Sequence, residues 1–129
     1  MRALFIPADE SREAWLVNYN PDNDEWITLF TDLIHGKGVD EALDFINFVQ
    51  EGFQIAVDDF FKVRQPPVPV NARASLLTLR MTGHLTTVGG NVIVLGVDRQ
   101  GEMLDVPVRV IASVLGEHKV PPEPETDLE

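Results

Sequence analysis

The chain has 129 residues, with 21 Asp and Glu against 10 Lys and Arg, a net charge of −11, and no cysteine. Disulfides, thiolate nucleophiles and Cys-ligated metals are therefore excluded. A hydrophobic fraction of 44% is ordinary for a globular domain, and a chain of this length needs no metal or cross-link to fold. In chain order, residues 3–7 read as a first strand, and residues 14–19 as a second that pairs with it as a hairpin. The breakers Asn20, Pro21, Asp22 and Asn23 follow.

The clearest helix spans about residues 23–35. Asp22 is its expected N-cap, with Glu25 closing a capping box. Trp26, Ile27, Leu29, Phe30, Leu33 and Ile34 form its buried stripe, and Gly36 supplies the stop. Residues 40–50 fit either a helix or a strand. The strict alternation of Phe53, Ile55 and Val57 favours a hairpin turning at Glu51-Gly52. Residues 65–70 form a polyproline-type connector. Asn71 then caps a short helix ending near Arg80, and residues 83–90 form a loop. Residues 91–97 are the strongest strand, apolar throughout and therefore central. Asp98-Arg99-Gln100-Gly101 matches a type I turn. Residues 103–106 pair back, and Pro107 opens a helix in preference to an edge strand. Residues 117–129 are acidic, Pro-rich and predicted to be disordered. The expected fold is α+β: one mostly antiparallel sheet with two or three helices, forming a single domain over residues 1–116.

No apolar run nears the ~18 residues of a membrane span. Residues 1–7 lack the apolar stretch of about 7–15 residues that a signal peptide needs. A soluble, cytoplasmic protein is expected.

Several segments together carry a resemblance. They are Arg2 to Pro7, the helix from Glu25-Trp26 to His35-Gly36, the run GFQIAVDDFFK, the segment VPVNARAS, and the strand and turn GGNVIVLGVDRQGE. In this order they resemble a family of small phage- and plasmid-encoded domains of unknown function. Those domains carry a Pro-x-Asn loop followed by a Gly-Asn-hydrophobic strand. The resemblance covers residues 1–106 and makes Pro69, Asn71, Gly90 and Asn91 family-like positions. It implies a mobile-element accessory protein and no catalytic residue. Asp58-Asp59-Phe60-Phe61 stands where the family has a glycine turn.

Chemistry is sparse. His35, His84 and His118 are isolated, against the short ligand spacing of a zinc site. Asp58 and Asp59, as strand neighbours, point to opposite faces. Ser11, Ser75 and Ser113 lie in no nucleophile elbow. No metal, cofactor or catalytic residue is expected, and a hydrolase ranks last among the readings. No basic stripe suits nucleic acid.

Charge distribution is the remaining signal. Residues 1–64 hold 13 acids and 5 bases, residues 65–116 hold 3 and 4, and residues 117–129 hold 5 and 1. Such an excess repels nucleic acid and anionic membrane and attracts cationic surfaces. Asp22, Asp24, Glu25, Asp32, Asp40, Glu41 and Asp44 cluster on and after the first helix. The plain reading is a solubilising surface. The sharper one is a non-enzymatic protein whose acidic face occupies a basic surface of a host or defence protein, as a nucleic-acid mimic would. The alternative is a pocket for an anionic, nucleotide-like ligand built from Arg80, His84, Thr86, Thr87 and Arg99, with Arg73, Thr82 and Gly89 nearby. Self-association stays open.

Overall fold

The computed structural model describes residues 1–36, 43–58 and 68–116. Asp40, Glu41, Asp59, His118, the expected tail and residues 65–67 of the proline connector lie outside them. The order of elements is β1 (Arg2–Ile6), β2 (Trp15–Asn18), α1 (Glu25–His35), β3 (Leu43–Phe48), β4 (Phe53–Asp58), α2 (Ala72–Thr82), β5 (Val92–Val97), β6 (Met103–Leu104) and α3 (Val108–Leu115). The fold is α+β. One antiparallel sheet runs β2-β1-β5-β4-β3, with β6 paired to the end of β5, and three helices cover it. None of the described helices is long and apolar enough to cross a membrane.

Strand alternation builds two cores. Leu4, Ile6, Phe53, Ile55, Val57, Val92 and Val94 face α2 and α3, where they meet Leu77, Val110 and Ile111. Ala3, Phe5, Ala56, Ile93 and Leu95 face α1, where Phe30 and Ile34 seal them. All six residues of β5 are buried because both faces are covered. At about 1.5–3 kcal/mol for each large aliphatic side chain, this strand is the apolar spine of the domain.

Asn71 ties three of these elements together. It is fully buried. Its Oδ1 accepts from the Ala74 N–H at 3.0 Å, capping α2 as expected. Its Nδ2 donates to the carbonyls of Ile6 and Gly90, both at 2.9 Å. Its backbone N–H donates to the Val88 carbonyl at 2.8 Å. Pro69 and Asn91 join the same knot. Gly90 N–H donates to the Pro69 carbonyl at 2.8 Å, and Asn91 Oδ1 accepts from Ala8 N–H at 3.0 Å. Pro69, Asn71, Gly90 and Asn91 thus meet where β1 ends and β5 begins.

Gly96 serves a different constraint. It lies on the α2/α3 side of β5, opposite Phe53. The chain leaving β6 crosses directly over it to reach α3. A Cβ at Gly96 would lie 2.8 Å from the Asp105 carbonyl carbon and 2.9 Å from the Leu104 oxygen, closer than real Cβ atoms come.

Four local expectations change. Asp24, not Asp22, is the N-cap of α1, and it makes no side-chain cap bond. Asn20 and Asn23 side chains accept instead from Asp22 and Glu25 N–H, so consecutive Asx turns delay the helix. Ile27 stays 45% exposed, because the first turn is covered by Trp26 packing on Phe30 and Phe45. The β3–β4 connection uses four residues, with a 3-10 turn over Val49–Glu51 and Gly52 at φ 84°. This register stacks Phe48 on Phe53 at 4.9 Å, which a two-residue turn at Glu51-Gly52 would forfeit. Pro107 opens α3 as expected, but as its cap rather than within the first turn.

Asn71→Ala removes a cap and strands the buried carbonyl of Ile6 and the part-buried carbonyl of Gly90. Urea denaturation should show a loss of about 2–4 kcal/mol. Gly96→Ala forces backbone apart and should lower the unfolding free energy by about 2–3 kcal/mol, seen as a lower urea midpoint with an unchanged slope.

Candidate functional site

The acidic residues do not all share a surface. Asp22, Asp24 and Glu25 are exposed at the start of α1, where the positive end of the helix dipole favours negative charge. Asp32 lies two turns beyond Glu25 on the same stripe, partly exposed. Asp44 is separated from them. Its strand neighbours Leu43 and Phe45 pack towards α1, so Asp44 points to the other side of the sheet. Its Oδ1 accepts locally from Phe45 N–H at 2.9 Å. Asp40 and Glu41 lie outside the described residues. Asp22, Asp24, Glu25 and Asp32 make no ion pair with a described residue, so this face keeps its charge.

The arginines are mostly committed to the fold. Arg73 Nη2 donates to the Pro7 carbonyl at 2.6 Å and to the Asp9 carbonyl at 3.2 Å, clamping the β1–β2 loop. Arg80 Nη1 donates to the carbonyl and hydroxyl of Ser113 at 3.1 and 3.3 Å, joining α2 to α3. Arg109 donates to the Glu51 carbonyl.

The expected anion pocket is an extended strap lying along α2. Thr78 Oγ1 accepts from Thr86 N–H at 2.8 Å, and Ser75 Oγ accepts from Val88 N–H at 3.0 Å. His84 N–H donates to Thr82 Oγ1 at 3.1 Å. Thr87 and the His84 side chain are exposed, whereas Arg99 sits in the turn at the far end of β5. No hydrogen bond gathers Arg80, His84, Thr86, Thr87 and Arg99 around a common centre. Among the described residues no three His, Asp or Glu side chains form a metal-sized group. Asp58 is buried at the end of β4.

A cleft of about 1030 Å³ opens where β1, the segment after β2, and the end of β6 meet. Arg2, Tyr19, Asn20, Asp22, Leu104 and Asp105 line it. Asp105 Oδ1 accepts from Arg2 N–H at 2.8 Å. Its Oδ2 stands 3.6 Å from Arg2 Nη2, an ion pair beyond hydrogen-bond reach. Among the described residues, Arg2 Nε and the Tyr19 hydroxyl are buried without a hydrogen-bond partner. Tyr19 is only 6% exposed, its ring edge-on to Phe30 at 5.2 Å. Burial, and then the Asp105 charge, push its phenol up to about 12. Of these residues only Asp22 stood out in the sequence. Arg2 and Asp105 lie 103 positions apart, and no local pattern links them.

No family model, no curated protein and no solved structure matches this chain.

Tyr19 is the only tyrosine, so the phenolate absorbance band reports it alone. The native protein should titrate near pH 12, against about 10 for the unfolded chain. The fold holds the proton that the unfolded chain releases. This contribution to stability is therefore complete below about pH 10 and is lost as pH rises towards about 12. A native midpoint near 10 would contradict the buried geometry.

Proposed function

We propose that the protein is a non-enzymatic binding protein of the mobile-element accessory kind, acting in the cytoplasm. Its acidic face, centred on Asp22, Asp24, Glu25 and Asp32, docks on a cationic surface of another protein, such as a nucleic-acid-binding groove. One observation supports this reading above others. These carboxylates are left without counter-charges among the described residues, while Arg73, Arg80 and Arg109 are spent on backbone carbonyls elsewhere. An acidic face that is not neutralised internally remains available to steer a basic partner, accelerating association by about ten- to a thousandfold at low salt.

Capture of partners from lysate, compared between wild type and the triple variant Asp22→Asn, Asp24→Asn, Glu25→Gln, tests the reading. The substitutions remove charge without placing positive groups at the helix start. A basic protein should bind wild type at low salt, elute as the screening length shrinks from about 10 Å at 0.1 M to about 3 Å at 1 M, and escape the triple variant. A partner retained equally by both proteins, at either salt concentration, overturns the proposal.

A further inference from the structure

The geometry points to the open edge of β2 as the place where the basic partner docks, by adding an extended strand of its own to the sheet. This inference rests on the acidic-face reading and names the form of the partner. Its backbone pairs along β2, and its basic flanks meet the carboxylates at both ends of that strand.

Three observations carry it. First, the edge is open and the direction of its polar groups is fixed. Among the described residues β2 ends the sheet. The Met1 amino group donates to the Tyr19 carbonyl at 2.9 Å, and Tyr19 N–H donates to the Met1 carbonyl at 2.8 Å. Alternation along the antiparallel ladder then bonds Val17 to Ala3 and Trp15 to Phe5. It turns the N–H and C=O of Leu16 and Asn18 outward, where no described residue takes them. Second, the edge is unguarded. β2 reads Trp-Leu-Val-Asn in regular register, without the charge, proline or bulge by which edge strands resist pairing. β3, at the other end of the sheet, carries Asp44 on the strand itself. Trp15, 43% exposed and packed on Phe5, offers apolar surface to a side chain of an added strand. Third, charge selects the occupant. Residues 9–25, which span β2 and its flanks, hold six acids and one base. Asp9 and Glu10 before the strand, and Asp22, Asp24 and Glu25 after it, are exposed. Asn18 and Asp22 line the same cleft, so Asp22 stands at the end of the edge. A second copy would bring acidic flank against acidic flank and is repelled. A strand with Lys or Arg at both ends meets opposite charge whichever way it runs.

The probe is the synthetic peptide Arg-Lys-Val-Thr-Val-Thr-Lys-Arg, titrated into the full chain and followed by amide NMR and hydrogen exchange. In the complex the Leu16 and Asn18 amides should shift and exchange about tenfold more slowly. The same peptide with Glu in place of every Lys and Arg should bind about tenfold more weakly. N-methylation of its central Val and Thr residues keeps the charge and blocks both edges of the peptide, and should weaken binding about tenfold. Asn18→Pro removes one outward donor at an exposed site that gives β1 no bond, and should weaken binding about fivefold. The methylated peptide carries the test where that variant folds poorly. Unchanged exchange at Leu16 and Asn18, or a methylated or acidic peptide that binds like the parent, overturns the inference. Slowed exchange at these amides that grows with protein concentration, without peptide, overturns it in favour of a second copy. The two proposals fail separately. Capture lost in the triple variant, with the methylated peptide binding like its parent, removes the strand edge and keeps the acidic face. Slowed exchange at Leu16 and Asn18 with equal peptide affinity in wild type and triple variant removes the acidic face centred on α1 and keeps the edge.

Discussion

The sheet's central strand can only be reached if the chain makes a buried turn beside the end of β1, and Asn71 makes that turn possible. A buried backbone group needs a partner, and the buried carbonyl of Ile6 and N–H of Ala74 converge there with the part-buried carbonyl of Gly90. One carboxamide offers two donors and an acceptor in a fixed plane, and it meets all three. An aspartate would lack the donors, and a serine could not reach the same set. The knot sets where α2 starts and where β5 enters the sheet. It also sets the depth at which Val88 and Val92 join the core.

The same demand for satisfied carbonyls shapes the charge distribution. Arg73, Arg80 and Arg109 reach across the surface to main-chain oxygens that helices and strands leave open. Each such bond ties together segments distant in sequence. The consequence is electrostatic: cations used in this way are not beside the carboxylates of α1. Among the described residues, the carboxylates of α1 are left without a counter-charge.

Much of the architecture was legible along the chain because it is written in local patterns. The unbroken apolar run of β5 marked a strand covered on both faces, and the structure buries every residue of it. Asn71 announced a helix start through the chemistry of capping, and Pro107 through its tolerance at a helix opening. The errors came where two local signals competed. Asp22 and Glu25 have the spacing of a capping box, yet Asn20 and Asn23 captured the same amides first. Glu51-Gly52 has the composition of a tight turn, yet stacking Phe48 on Phe53 favoured a longer one.

The functional surface was legible only in part. Charge is additive along a sequence, so an acidic first half was certain from composition alone. Direction is not additive. Asp44 belongs to the acidic run in sequence, and strand alternation turns it to the other side of the sheet. Arg80 and Arg99 are both near the 82–90 segment in sequence, yet Arg80 is bonded across to α3 and Arg99 stands at the far end of β5. The cleft depends wholly on tertiary structure, since Arg2 and Asp105 meet only where the segment after β6 is bonded to the start of β1, through Arg2 N–H to Asp105 Oδ1 and Val106 N–H to the Arg2 carbonyl. The sequence by itself determined the elements, the spine strand and the sign of the surface, because each follows from residues near one another. Only the tertiary structure decided which charges face solvent together and which polar atoms are buried without partners, because those depend on distances between residues that share no local pattern.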